Sequence, residues 1–145
     1  MQITRQADYA VRAVLELASN GNKQRLTAEE IARRRAIPLA FLSKTLGRLS
    51  ESGIVTTQRG VKGGVSLGRP ASEINLLEVV EVIDGPIALN ECVLDEEACR
   101  WTGTCPVHDV WCTLQHSLRD QMAGMNFHQL AQQYKVEPAA LAAGL

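Results

Sequence analysis

The sequence predicts a mainly α-helical fold with one small β-hairpin, on three observations. Apolar residues recur at three- and four-residue spacing over most of the chain, as in amphipathic helices. One stretch, 54–67, instead has two β-prone runs around a glycine-rich turn. A short helix, a turn, a longer helix and then a hairpin is the order of a winged helix-turn-helix. We therefore expect a winged helix-turn-helix domain at 1–85, a cysteine-bearing loop at 86–106, and a long helix with a C-terminal helix at 107–145.

The first three predicted helices have recognisable ends. Thr4 caps a helix that runs to about residue 19 and stops at Asn20-Gly21. Thr27 and Glu30 have the spacing of a capping box, which starts a short helix ending near residue 35. After the break at Pro38, a third helix runs over 39–52 and stops at Gly53. Its predicted inner side consists of Phe41, Leu42, Thr45, Leu46 and Leu49.

The remaining elements follow in order along the chain. The runs 54–58 and 64–67 predict a hairpin whose tip, Arg59-Gly-Val-Lys-Gly-Gly64, is basic and rich in glycine. Asn75 caps a further helix over 76–83. A long helix is expected to start near Pro106, and a final one covers about 127–134.

The charge is divided sharply between the two halves of the chain. Residues 1–70 carry twelve Lys and Arg against five Asp and Glu, a net +7, and residues 71–145 carry three against eleven, a net −8. Basic side chains displace counterions from a phosphate backbone, so the first half can bind nucleic acid. A dipolar globular protein without a polyanionic partner is the alternative on charge alone.

A winged helix-turn-helix reads double-stranded DNA with the exposed face of its second helix and with its wing. The glycines at the wing tip let the backbone approach a groove closely. Flanking phosphate contacts are available from Arg25 and the arginines at 33–35. The predicted DNA-binding residues are Ala40, Ser43, Lys44, Arg48, Arg59, Lys62, Gly63 and Gly64.

Cysteines and a histidine are concentrated in the second half, in the pattern C-x6-C-x5-C-x2-H-x3-C. Its members are Cys92, Cys99, Cys105, His108 and Cys112. The N-terminus lacks an apolar signal region and no run is long enough to cross a bilayer, so we expect a cytoplasmic chain with reduced thiols and no membrane partner. Zinc sites usually pair cysteines more closely, whereas these wider spacings suit an iron–sulfur cluster.

The chain resembles the iron–sulfur winged-helix regulators of the IscR and NsrR type, the Rrf family, over residues 1 to about 135. The resemblance lies in the opening Met-Gln-Ile-Thr, in Asp8-Tyr-Ala-Val-Arg, and in the wing from Arg59 to Ala71. The helix after Ile74 and the position of the cysteine loop also match. It implies a homodimer formed through the long helix, with a 4Fe–4S or 2Fe–2S cluster near the DNA-binding domain.

The resemblance also implies the cluster ligands. Cys92, Cys99 and Cys105 match the three loop cysteines. The fourth ligand is a histidine in IscR-like members, which His108 matches, and an aspartate of the partner's first helix in NsrR-like members, which Asp8 matches. Cys112 matches neither pattern, and we expect it to be a packed thiol.

The long helix carries an apolar stripe at helical spacing. We expect a two-fold interface formed by Trp111, Leu114, Leu118 and Met122.

Together these features predict a homodimeric transcription regulator whose operator binding is controlled by the cluster, as a sensor of redox state, nitric oxide or iron. A zinc-stabilised winged-helix adaptor is the alternative. An enzyme with a small-molecule substrate is not expected, because the sequence has no Cys-x-x-Cys pair, nucleotide loop or acid–base set.

Overall fold

The computed structural model describes residues 2–21 and 24–134 and confirms the predicted fold class. The helices are α1 (Arg5–Asn20), α2 (Ala28–Arg35), α3 (Leu39–Glu51), α4 (Leu76–Asp84), α5 (Glu91–Leu94), α6 (His108–Gly124) and α7 (Phe127–Gln133). The strands are β1 (Val55–Gln58) and β2 (Gly64–Leu67). Single 3-10 turns lie at Ala71–Glu73, Glu96–Ala98 and Thr102–Thr104.

The predicted caps are present. The Thr4 side chain accepts a hydrogen bond from the Ala7 N–H, and Thr27 and Glu30 bond reciprocally as a capping box. The Asn75 side chain caps α4 by accepting a hydrogen bond from the Glu78 N–H. The long helix α6 begins at His108, two residues later than the start expected near Pro106, because Cys105–Val107 form a turn that leads into it.

The wing is an antiparallel hairpin tied to the segment before α2. In its register Val55 lies opposite Leu67 and Gln58 opposite Gly64. Leu26 forms a further bridge with Val65, through N–H···O bonds of 3.1 and 2.7 Å. The wing is therefore held on its inner edge by the main body of the domain.

Helix α1 lies at the centre of one hydrophobic core and packs against α2, α3, α4 and α7. Its buried face consists of Ala7, Ala10, Ala13, Val14 and Leu17. The chain returns to this core after α6: Phe127 is fully buried, and its N–H donates to the Ile74 carbonyl. The C-terminal helices thus share the core of the first 85 residues. Residues 135–145, part of the predicted third segment, lie outside the described residues.

The expectation that Phe41 faces inward is wrong. Its side chain is 57% exposed, and its ring lies beside that of Tyr9 with the centroids 6.4 Å apart. Leu42, Thr45, Leu46 and Leu49 are buried as expected. Residue 41 lies at the edge of the apolar face of α3, where helical spacing alone does not separate an inner position from an outer one.

Candidate DNA interface and cysteine site

The first half of α3 exposes a neutral face with one cation. Ala40, Ser43 and Lys44 are all exposed in the first half of the helix, as a recognition helix requires. The Ser43 hydroxyl donates to the Leu39 carbonyl at 3.0 Å, which leaves its oxygen lone pairs outward as acceptors. Lys44 is the long polar side chain at the centre of this face.

Arg48 has a different environment from the other predicted DNA-binding residues. Its guanidinium donates to the carbonyls of Ile83 at 2.7 Å and Val82 at 2.8 Å, the last turn of α4. A cation at a helix C-terminus satisfies free carbonyls and interacts favourably with the helix dipole. Arg48 therefore joins α3 to α4, and we leave it out of the DNA interface proposed below.

The wing tip presents Arg59 and Lys62 to solvent, beside a fully exposed Val61. The neighbouring glycines have a folding reason of their own. A Cβ on Gly63 would lie 2.2 Å from the Gln58 carbonyl oxygen, and Gly64 has φ of +140°. These glycines allow the tight turn that places the two cations.

Only part of the flanking basic run is free to contact phosphates. Arg33 and Arg25 are exposed. Arg34 and Arg35 instead pair with Glu16 of α1, at 3.0 and 2.6 Å. The Arg35 guanidinium also lies 4.2 Å from the centre of the Tyr134 ring. These two arginines hold α2 against α1.

The cysteine segment connects α4 to α6. Cys92 lies in α5 and is 7% exposed, Cys99 and Cys105 each follow a 3-10 turn, and Cys112 lies in α6. All four are free thiols. Burial raises the pKa of the Cys92 thiol, and the neighbouring thiols of Cys99, Cys112 and Cys105 raise it further.

His108 and Cys112 form a side-chain pair on α6. The Cys112 Sγ lies 3.4 Å from the His108 Nε2, as the i, i+4 spacing allows. The other ring nitrogen, Nδ1, is buried and has no hydrogen-bond partner within the described part of the chain. Over the same described residues, no three Cys, His, Asp or Glu side chains converge as they would on a single metal ion.

Gln115 fixes the start of the cysteine segment, and the sequence analysis missed it. It is 5% exposed; its Oε1 accepts from the Leu89 N–H at 3.0 Å and its Nε2 donates to the Ile87 carbonyl. The Ile87 N–H in turn donates to Glu81 of α4 at 3.0 Å, and Arg119 of α6 pairs with the same carboxylate. The sequence does contain a signal for this role: Gln115 is a polar residue at helical spacing from the apolar Trp111 and Leu118.

Asp8 lies away from the cysteines of its own chain. It pairs with Arg12 at 2.6 Å and lines a cavity of about 590 Å³ together with Leu76, Val80 and Met122. Met122 and His108 are fourteen residues apart in α6, which is about 21 Å at about 1.5 Å per residue. His108 and the cavity that contains Asp8 therefore lie at opposite ends of α6.

The predicted dimer stripe divides between two environments. Leu118 and Met122 are partly buried against the core of their own chain. Leu114 is 49% exposed. Val110, one turn before it in α6, is 53% exposed, and Val107, the residue just before α6, is 47% exposed. Trp111 is half-buried between these groups. The apolar surface left open on α6 therefore centres on Leu114.

The comparison that decides the family covers most of the chain. The profile of the Rrf2 family, described as an iron-dependent transcriptional regulator, matches residues 3–133. The chain belongs to the Rrf2 family.

Its Rrf2 relatives are similar over nearly their whole length. Protein aau3 of Rhizobium meliloti is 39% identical over 137 residues, covering 94% of this chain and 83% of that protein. The transcriptional regulator IscR of Photorhabdus laumondii is 29% identical over 136 residues, covering 94% and 82%. The solved structure of CymR, the global cysteine regulator of B. subtilis, superposes with a TM-score of 0.78 at 21% identity, covering 93% and 99%. The likeness to CymR shows the shared fold.

Membership of the Rrf2 family confirms the predicted resemblance and makes the chain a DNA-binding transcription regulator and not an enzyme. Within the described residues, no helix combines the length and apolar character needed to cross a membrane.

Proposed function

We propose that this Rrf2 regulator is a cytoplasmic homodimer whose operator binding is controlled by an iron–sulfur cluster bound to Cys92, Cys99 and Cys105. Three cysteines in the segment that joins α4 to α6, followed by His108 at the first position of α6, carry the proposal. Thiolates and histidine are the ligands of such clusters, and the ligands are shared among two or four iron atoms, so they need not converge on one point. A bound cluster supplies iron that responds to oxygen, nitric oxide and reductants.

The fourth ligand is proposed to be His108 or Asp8 of the partner subunit. His108 is three residues after Cys105 in the chain and has its Nε2 beside the Cys112 sulfur. Asp8 of the partner subunit would tie the cluster to the other DNA-binding domain. The cavity that contains Asp8 is open and partly apolar, which suits a docked segment of a second copy.

Hydrogen bonds supply a route from the cysteine segment to the recognition helix. Gln115 and Glu81 hold residues 87–89 between α6 and α4, and Arg48 holds the end of α4 on α3. A cluster held by Cys92 would order the segment that begins at that residue, just after residues 87–89. A shift of that segment thus acts on the end of α4, and through Arg48 on α3. If the two arrangements of the segment differ by about 3 kcal/mol in their free energy of operator binding, the affinity for the operator changes by roughly a hundredfold.

The cluster is tested by purification without oxygen, followed by visible absorption and by assay of iron, acid-labile sulfide and zinc. The wild type should carry iron and sulfide in equal amounts, and Cys92→Ala, Cys99→Ala and Cys105→Ala should each lose the chromophore. Cys112→Ala is the matched control and should keep it. A colourless chain with about one zinc per subunit would instead support the zinc-stabilised module.

The DNA interface is proposed to consist of Lys44 on α3 and Arg59 and Lys62 on the wing, with Ala40, Ser43 and the wing glycines close to the duplex. Each lost phosphate contact should lower the slope of log K against log salt by about 0.9. Arg59→Ala/Lys62→Ala removes four such contacts from a homodimer on its operator and should therefore lower the slope by about 3.6. Arg100→Ala, which removes a cation from the cysteine segment, is the control and should leave the slope unchanged.

The dimer is proposed to form through the open surface of α6, because Val107, Val110 and Leu114 make one exposed apolar patch. Leu114→Asp should give monomers in sedimentation velocity and weaken operator binding. Leu94→Asp changes another exposed leucine, on α5, and should remain dimeric. A dimeric Leu114→Asp variant would contradict this placement.

A further inference from the structure

The pattern of cluster ligands leaves Cys112 without a role, yet its sulfur is adjacent to a proposed ligand. The Cys112 Sγ and His108 Nε2 are 3.4 Å apart on the same face of α6. Metal bonds to sulfur and to imidazole nitrogen are about 2.3 and 2.0 Å long. One metal position can therefore be reached by either atom through side-chain rotation, without movement of the helix backbone.

The environment of His108 favours an exchangeable ligand. Histidines that bind metals firmly almost always donate their second ring N–H to a carboxylate, carbonyl or water, which fixes the ring. The buried Nδ1 of His108 has no such acceptor among the described residues. Among the described residues, the contact that holds the ring is therefore the one between its Nε2 and the Cys112 sulfur.

We infer that Cys112 is an alternative to His108 as the fourth ligand of the cluster, an inference that rests on the proposed function. Cys112 could hold the cluster through its Sγ in place of His108 Nε2, and the thiol proton would then pass to the released Nε2, its neighbour at 3.4 Å. One bond from nitrogen would be replaced by one bond from sulfur, and no electron would be transferred.

The two ligand states differ in a property that can be measured. A thiolate places more negative charge on the cluster than a neutral imidazole, and replacement of cysteine by histidine raises cluster reduction potentials. The form bound through Cys112 should therefore have the lower potential. The cluster of the same regulator would then be reduced at two different potentials, one for each ligand.

The test uses full-length His108→Ala, Cys112→Ala and the double variant, each purified without oxygen. His108→Ala should keep the cluster, lack nitrogen coupling in pulsed electron paramagnetic resonance, and titrate at a lower potential than Cys112→Ala. The double variant should lose its cluster to a chelator about tenfold faster, or more, than either single variant. Circular dichroism of the metal-free chains checks that all three are folded.

Two results would overturn the inference. If His108→Ala alone loses the cluster as fast as the double variant, Cys112 does not replace it. If the double variant keeps the cluster as well as both single variants, the fourth ligand is neither residue, as with Asp8 of the partner subunit. Failure of the proposed function is distinguishable, because the wild type would then contain no iron or sulfide at all.

Discussion

Arg48 gives the sharpest test of the structure, because two interpretations of one residue predict opposite results. The structure places its guanidinium on the Val82 and Ile83 carbonyls, whereas the sequence pattern places it on DNA. Hydrogen bonds from a charged donor contribute about 1.5 to 3 kcal/mol each, but carbonyls at a helix end regain water when they are released. We therefore expect Arg48→Met, which keeps the apolar stem, to lower the free energy of unfolding by about 2 to 3 kcal/mol.

For a chain of this length, that loss corresponds to a fall in melting temperature of about 6 to 9 °C. Urea unfolding of each variant is measured at two protein concentrations, because a changed dimerisation appears as a concentration dependence that differs from that of the wild type. Lys44→Met on the exposed face of the same helix is the matched control. It should change stability by less than about 0.5 kcal/mol and lower the salt slope of DNA binding by about 1.8, because the dimer loses one contact from each subunit.

The reasoning would be refuted if Arg48→Met were as stable as the wild type and lowered the salt slope of DNA binding by about 1.8. That pair of results would mean that the arginine leaves α4 and contacts phosphate in solution.

Three further predictions follow from contacts in the structure. Gln115→Leu leaves the Ile87 carbonyl and a nearby N–H unpaired, so urea unfolding should show a loss of about 2 to 4 kcal/mol. Gly63→Ala meets backbone at 2.2 Å and should cost more than about 1 kcal/mol, together with lower DNA affinity in fluorescence anisotropy and unchanged helical circular dichroism. The Thr27 N–H lowers the pKa of Glu30 from its ordinary 4.5, so the carboxylate stabilises the fold above that value. The stability difference between wild type and Glu30→Gln, measured by thermal unfolding, should therefore shrink as pH falls through the lowered pKa.

The helices and the wing could be predicted from the sequence because their signals are local. A cap such as Thr27 with Glu30, or a stop such as Gly53, acts within a few residues, and the structure has both. The position of the cysteine segment could be predicted from the sequence, but its conformation could not. Its start is held by Gln115, whose partners are 26 and 28 residues away in the chain. No periodic pattern encodes a contact of that separation.

The basic residues show the same limit at the candidate site. Lys44, Arg59 and Lys62 were predicted to be exposed, and they are. Three other arginines count equally toward the positive charge of the first half but are engaged within the protein. Arg34 and Arg35 pair with Glu16, and Arg48 binds carbonyls at the end of α4. The net +7 of the first half therefore overstates the charge available to DNA.

This division of the arginines bears on how a regulator of this size can be switched. A residue that contacted both DNA and α4 would lose one set of contacts whenever it made the other. Arg48 is committed to α4, so movement of the α4 end is passed to α3 while Lys44 and the wing remain free to bind. The DNA-binding residues and the coupling residue are then separable by mutation. An Arg48 variant that still binds the operator, but whose affinity no longer depends on cluster content, would be the direct sign of that separation.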